Sequence, residues 1–326
     1  MKKCISILLL AVLLFSMNAS GNKYNASAAD KKLWVATDQI PSVSDVLEEE
    51  YFRLHNTLSG YACVFAPLNG TFQLTWDTNV EGTLSFTSSK PDIISIDQNG
   101  LMAGHKLEVN DPAYIKGTIT KADGTTISST IAAFCTFKDV MNTKDYYFIP
   151  VLWAYGQKVT SGYTDSNGNE TGYFKPNESC TRAQVVTFLY RYFWRFLTED
   201  TSSVQDFTDV KTDTYYYDAV KWAVANGITT GYTGKDGKPN GKFGPNDTCT
   251  RAQVVTFLYR AYTQLGYGDF SDVPDFSDVK PGSYYYFAVK WAVSHNITTG
   301  YTGTDKFGPD DKCTRAQVVT FMFRAQ

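Results

Sequence analysis

Three arginines, Arg182, Arg251 and Arg315, occupy the same place in three copies of one octet, Thr-Arg-Ala-Gln-Val-Val-Thr-Phe, each copy directly preceded by a Cys. Thr and Gln three residues apart form a capping box: the Thr hydroxyl accepts from the N3 amide, and the N3 Gln reaches back to the Thr amide. The pairs Thr181/Gln184, Thr250/Gln253 and Thr314/Gln317 therefore mark three helix starts. Cys180, Cys249 and Cys313 sit before the cap, where an apolar residue packs on N4, here Val185, Val254 or Val318. This accounts for Thr, Gln, Cys and Val but not for Arg. A cation in the first turn is slightly unfavourable against the helix dipole. A helix start with free amides and an Arg fork suits a carboxylate or phosphate instead. The structural alternative is an Arg paired with an acid of the neighbouring copy, such as Asp209 or Asp278.

The octets belong to a longer repeat, traced by Trp153, Trp222 and Trp291 at a spacing of 69 residues. Repetition of one unit implies neighbouring copies that bury each other's apolar faces, and any binding group is then presented three times. In the second copy Tyr216, Ala219, Val220, Ala223 and Val224 line one helical face. Asn226-Gly227 stops that helix with Gly suited to the left-handed position. Ile228-Thr229-Thr230-Gly231-Tyr232 follows as a short extended piece. A second helix is expected from Thr250 to about Tyr262. Each unit thus reads helix, loop, helix. The first unit carries Lys158 where the others have Gly227 and Asn296, so a corner built differently is expected there. The Trp residues suit the core between repeats.

Residues 32–136 read differently. Ser42 to Leu58 is acidic and suits a helix. Thr71–Trp76, Thr83–Phe86 and Ile93–Ile96 alternate as strands, with turns at Pro91-Asp92, Asn99-Gly100 and Asp123-Gly124. The expected fold class is multidomain: a small all-β sandwich, then a mainly α-helical set of repeats. Cys63 and Cys135 could form a disulfide if two strands bring them together.

Composition bounds the partners. The chain starts with Lys2 and Lys3, an apolar run from Ile5 to Phe15, and Ala26-Ser27-Ala28 as a cleavage site, which predicts a secretory signal over 1–29. Its removal leaves 27 Lys and Arg against 33 Asp and Glu, a net charge of −6 that disfavours nucleic acid as a partner. No second hydrophobic span follows, so no membrane contact is expected after signal removal. Asp165-Ser166-Asn167-Gly168-Asn169 resembles the start of a calcium loop but lacks Gly at position six and Glu at position twelve, so it reads as a solvated turn. The sequons at Asn177 and Asn246 overlap the capping segments and read as incidental. Three His, His55, His105 and His295, share no motif with a nucleophile. No catalytic residue, metal site or cofactor is expected.

The repeats resemble S-layer homology domains. The carrying pattern is Phe-x-Asp-Val, Tyr-Tyr-x-x-Ala-Val-x-Trp-Ala, Ile-Thr-x-Gly-Tyr, Phe-x-Pro-Asn/Asp and Thr-Arg-Ala-Gln, over residues 137–193, 207–262 and 276–326. The family's motif ends in Glu; every copy here has Gln, which removes one negative charge per unit near the site. The resemblance implies a pseudo-threefold triplet that binds secondary cell-wall polysaccharide, often pyruvylated. It implies glycan contacts by Arg182, Arg251 and Arg315, and by Gly162-Tyr163, Gly231-Tyr232 and Gly300-Tyr301. Upstream, Phe86, Ser88-Ser89, Pro91, the strand Ile93–Ile96 and Asn99-Gly100-Leu101 resemble the bacterial immunoglobulin-like (group 2) domain. The expectation is a secreted, non-enzymatic protein held non-covalently at the bacterial cell wall. The alternatives are a small wall-active hydrolase carried by such an anchor, and a lattice-forming protein that self-assembles, or meets other surface proteins, through residues 32–136.

Overall fold

The computed structural model describes residues 50, 52–55 and 63–326. The expected signal over 1–29 and most of the acidic Ser42–Leu58 stretch lie outside the described residues. The chain forms two compact units. One runs to Trp153 and takes in Asn169–Tyr173; the other holds Ala154–Gly168 and Phe174–Gln326.

Among its described residues the first unit has nine strands: β1 (Phe52–His55), β2 (Cys63–Pro67), β3 (Thr71–Gln73), β4 (Thr75–Thr78), β5 (Thr83–Ser88), β6 (Ile94–Ile96), β7 (Leu101–Gly104), β8 (Glu108–Thr120) and β9 (Thr126–Thr136). They form three sheets, ordered β1-β4, β2-β9-β8-β5 and β3-β7-β6. All pairings are antiparallel except β2 with β9. The helix expected within Ser42–Leu58 is corrected where it is described, because Phe52–His55 is a strand paired with β4. The single alternating strand read over Thr71–Trp76 is also corrected. It breaks at Leu74, which is fully buried and donates its amide to the Gly100 carbonyl, so β3 and β4 join different sheets. Asp123-Gly124 turns the long β8–β9 hairpin. Gly124 takes φ +82°, and Asp123 Oδ1 accepts from both the amide and hydroxyl of Thr125.

Phe52, Val80 and Ile119 form one small core with Leu54, Trp76, Leu84 and Ile127 packed on it. Phe65 stacks on Phe134 and meets the edge of Phe148 at 4.9 Å, which draws the start of the first repeat into this unit. No disulfide joins Cys63 to Cys135. Their strands do pair, but in a register that sets Cys63 opposite Ala132 and Cys135 opposite Ala66. A stagger of three residues is about 10 Å along a strand, beyond the reach of a disulfide.

Six helices are described: α1 (Phe148–Gly156), α2 (Arg182–Phe193), α3 (Tyr217–Ala225), α4 (Arg251–Gln264), α5 (Tyr286–Ser294) and α6 (Arg315–Arg324). The apolar spacing holds, with Ala219, Val220, Trp222 and Ala223 of α3 buried. The stretch Ile228–Tyr232 forms no strand. The corner after the first helix of each unit is the same in all three copies, contrary to the expectation for the first. Lys158, Gly227 and Asn296 all turn left-handed at φ +60°, +66° and +56°. The next residue then donates to Ala154, Ala223 or Ala292, each at 2.8 Å. Lys158 accepts a strain of about 1 kcal/mol because the apolar residue after it, Val159, must be buried. Trp222 and Trp291 are core residues, and their indole N–H groups donate to the Leu197 and Tyr267 carbonyls of the linkers.

Candidate functional site

The three capping boxes form as the spacing requires. Thr181, Thr250 and Thr314 accept from the Gln184, Gln253 and Gln317 amides at 3.2–3.3 Å, and each Gln side chain returns to the Thr amide at 3.0 Å. The remaining helix-start amides are not free, which corrects the expectation of an open amide cradle. Arg182 and Ala183 donate to the Asp247 and Pro245 carbonyls of the second unit. Arg251 and Ala252 donate to Asp311 and Pro309 of the third, and Arg315 and Ala316 to Glu178 and Pro176 of the first. Each helix start is thus capped by the next copy, and the third returns to the first.

The cysteines close the same ring. Cys180 donates its amide to Cys313, Cys313 to Cys249 and Cys249 to Cys180, each at 2.9 Å. All three thiols are free and fully buried. Burial pushes the Cys180 thiol up to about 12 and raises those of Cys249 and Cys313 well above the ordinary thiol range, which suits packing groups.

Arg182, Arg251 and Arg315 are only 2–3% exposed. Each spans to the next copy, where Nε donates to a backbone carbonyl at 2.9 Å: Phe243, Phe307 and Phe174 respectively. The Arg182 guanidinium lies 4.5 Å from the Tyr232 ring centre, 4.9 Å from Phe243 and 5.3 Å from Phe257. Arg251 repeats this on Tyr301, Phe307 and Phe321, and Arg315 on Tyr163, Phe174 and Phe188. The alternative pairing with Asp209 or Asp278 is corrected. Those carboxylates bind amides of their own unit, Phe243 with Gly244 and Phe307 with Gly308, at 2.8–2.9 Å. Among the described residues no carboxylate pairs with any of the three guanidinium groups, and Nε makes the only hydrogen bond of each. Buried cations usually have an anionic partner, because desolvation alone is costly.

The tyrosines complete each groove. Tyr163, Tyr232 and Tyr301 donate their hydroxyls to Glu178, Asp247 and Asp311 at 2.8–3.0 Å. Burial pushes the Tyr232 phenol up to about 12. The preceding glycines, Gly162, Gly231 and Gly300, take φ +76° to +80°. A Cβ on Gly231 would stand 2.4 Å from the Phe207 ring, and one on Gly300 2.5 Å from Phe276, so close packing requires glycine there. The structure therefore brings Arg and Tyr of adjacent copies together and sets the glycines behind them.

Sequence reasoning missed a second arginine. Arg191, Arg260 and Arg324 reach back to the Val159, Ile228 and Ile297 carbonyls at 3.0–3.2 Å, tying each second helix to the left-handed corner. Their recurrence at one place in each copy was the available signal. Among the described residues no group of His, Cys, Asp or Glu could hold a metal ion, and no helix is long and apolar enough to cross a membrane.

Comparison with known proteins matches the repeats to a known family. The S-layer homology domain family matches residues 136–186, 206–235, 236–255 and 275–319. The chain is 32% identical over 153 residues to the surface-layer 125 kDa protein of Lysinibacillus sphaericus, 46% of this chain and 12% of that one. It is 35% identical over 124 residues to a cell surface protein of Thermoanaerobacter kivui, 36% of this chain and 15% of the relative. It is also 27% identical over 228 residues to an amylopullulanase of Thermoanaerobacterium thermosulfurigenes, 66% of this chain and 11% of the enzyme. The chain therefore spans a small fraction of each of these relatives. Its repeated region belongs to the S-layer homology family and places the protein at the cell surface.

Proposed function

We propose that the repeats anchor the protein non-covalently to the cell wall by binding an anionic secondary polysaccharide, with a carboxylate such as a pyruvate ketal against the Arg–Tyr grooves. The observation that carries this reading is the set of three guanidinium groups, 2–3% exposed, each without a carboxylate partner and with only Nε bonded. A bound carboxylate would supply the missing charge, and Tyr163, Tyr232 and Tyr301 would offer a ring edge and hydroxyl to the sugar. The closed ring of cap contacts supports a pseudo-threefold triplet with three such grooves. The strands of the first unit support an immunoglobulin-like sandwich.

We read the protein as having no enzymatic role. Ser95 and His105 do hydrogen-bond at 2.7 Å, but His105 is exposed and no acid orients it among the described residues. The hydrolase alternative draws on the relatives named amylopullulanase and endoglucanase, of which this chain covers 11% and 12%. The test is sedimentation of the full chain with purified sacculi before and after chemical removal of the wall polysaccharide. Binding lost with the polysaccharide supports the reading. Binding that persists, or never occurs, overturns it. Released reducing sugar in the supernatant would favour the hydrolase instead, and two-dimensional order of the purified protein in electron micrographs would favour the lattice.

A further inference from the structure

The three grooves are not equivalent, and the difference lies in two coupled residues of the first repeat. In the second and third repeats the Phe-Gly-Pro turn puts Gly244 and Gly308 against the groove tyrosine, both at φ +71°. A Cβ on Gly244 would stand 2.4 Å from Tyr232 Cε2 and 2.5 Å from Asp247 Oδ2. A Cβ on Gly308 would stand 2.6 Å from Tyr301 Cε2 and 2.4 Å from Asp311 Oδ2. Those grooves have no room for a side chain at this position. The first repeat places Lys175 there, at φ +60°. The acid in the same repeat is Glu178, one methylene longer than Asp247 and Asp311, which gives its carboxylate the reach to clear a Cβ. Glu178 Oε2 still accepts from the Tyr163 hydroxyl at 3.0 Å, while Oε1 takes Lys175 Nζ at 2.8 Å. Lys175 Nζ also lies 4.5 Å from the Tyr163 ring centre, and Arg315 lies 4.6 Å from the same ring.

The charge at the three tyrosines differs accordingly. Tyr232 gathers Arg182 and Asp247, and Tyr301 gathers Arg251 and Asp311, one cation and one anion each. Tyr163 gathers Arg315, Lys175 and Glu178, two cations and one anion. The Lys175 side chain is 41% exposed, so its ammonium can leave Glu178 for a ligand at small cost.

We propose that the Arg315–Tyr163–Lys175 groove is a site for a doubly charged anion, a phosphate monoester on a glycan, whereas the Arg182 and Arg251 grooves take a singly charged carboxylate. This rests on the reading of the arginines as anion sites. The Nε–H groups of Arg182, Arg251 and Arg315 provide a probe for each groove, because each is held on a buried carbonyl at 2.9 Å. The experiment is a titration of the full, isotope-labelled chain with inorganic phosphate, and separately with acetate, at constant ionic strength and pH 7.5. The expected result is that the Arg315 signal shifts at about threefold or lower phosphate concentration than the other two, with no such preference for acetate. Lys175→Gln and Lys175→Gly should each bring the Arg315 response to phosphate level with the others; the first keeps the side chain's bulk and the second restores the turn of the other repeats. Equal responses of all three signals to phosphate, or a preference that survives both substitutions, would overturn the inference and leave the general anion reading intact. Silence of all three signals toward both anions would overturn both.

Discussion

Replacing Arg251 by Ala separates folding from binding, because the structure gives this residue contacts between copies and the proposed function gives it a ligand. The substitution removes a buried bond from Nε to the Phe307 carbonyl at 2.9 Å and leaves that carbonyl without its donor. It also removes a cation held 4.7–5.4 Å from the centres of Tyr301, Phe307 and Phe321. Loss of a hydrogen bond from a charged donor costs about 1.5–3 kcal/mol. A desolvated cation–ring contact contributes about 0.5–2 kcal/mol. Relief of the desolvation penalty of a buried charge offsets part of this. The net expectation is a destabilisation on the order of 2–4 kcal/mol, a fall of roughly 5–15 °C in the melting midpoint of the helical unit. Far-ultraviolet circular dichroism at 222 nm follows that unit, since the six described helices supply the signal. Arg251→Lys should fall between wild type and Ala, because an ammonium can reach the carbonyl but cannot lie flat across the rings. A midpoint for Arg251→Ala within about 1 °C of wild type would refute the reasoning, since the contacts between copies would then contribute nothing. Wall sedimentation belongs at a temperature where the variant is still folded. Weaker binding there, with helicity retained, would assign the residue to the ligand as well as to the fold.

Gly231→Ala forces a Cβ to 2.4 Å from Phe207 and holds Ala at φ +76°, so a loss of about 2–4 kcal/mol is expected in the same melt. Lys158→Gly relieves a left-handed Lys and should stabilise the helical unit by about 0.5–1 kcal/mol; no gain in midpoint would show that the corner carries no strain. Asp209→Ala leaves the Phe243 and Gly244 amides without their acceptor and should cost about 1–3 kcal/mol, while Asp209→Asn retains part of this. Cys180, Cys249 and Cys313 should resist a thiol reagent at pH 8 in the folded protein and react fully in guanidinium, because burial both excludes the reagent and holds the Cys180 thiol up near 12. Rapid native labelling of any of the three would contradict the buried ring.

The sequence by itself determined the local elements of the repeats. A capping box needs only Thr and Gln three residues apart, and an amphipathic helix needs only its own period, so helix starts and buried faces follow from short-range text. The same holds for the hairpin at Asp123-Gly124. What the sequence could not determine is every property that depends on which copy touches which. The helix-start amides looked free because their acceptors, the Asp247, Asp311 and Glu178 carbonyls, belong to the next copy in the ring. The arginines looked like surface forks, yet the carbonyls they bond lie 56 to 141 residues away. Strand register decided against a Cys63–Cys135 bond for the same reason: pairing β2 with β9 is a long-range choice. Lys158 shows the limit from the other side. Local preference predicts a different corner, but burial of Val159 outweighs about 1 kcal/mol of backbone strain, and only the packed structure shows which term wins.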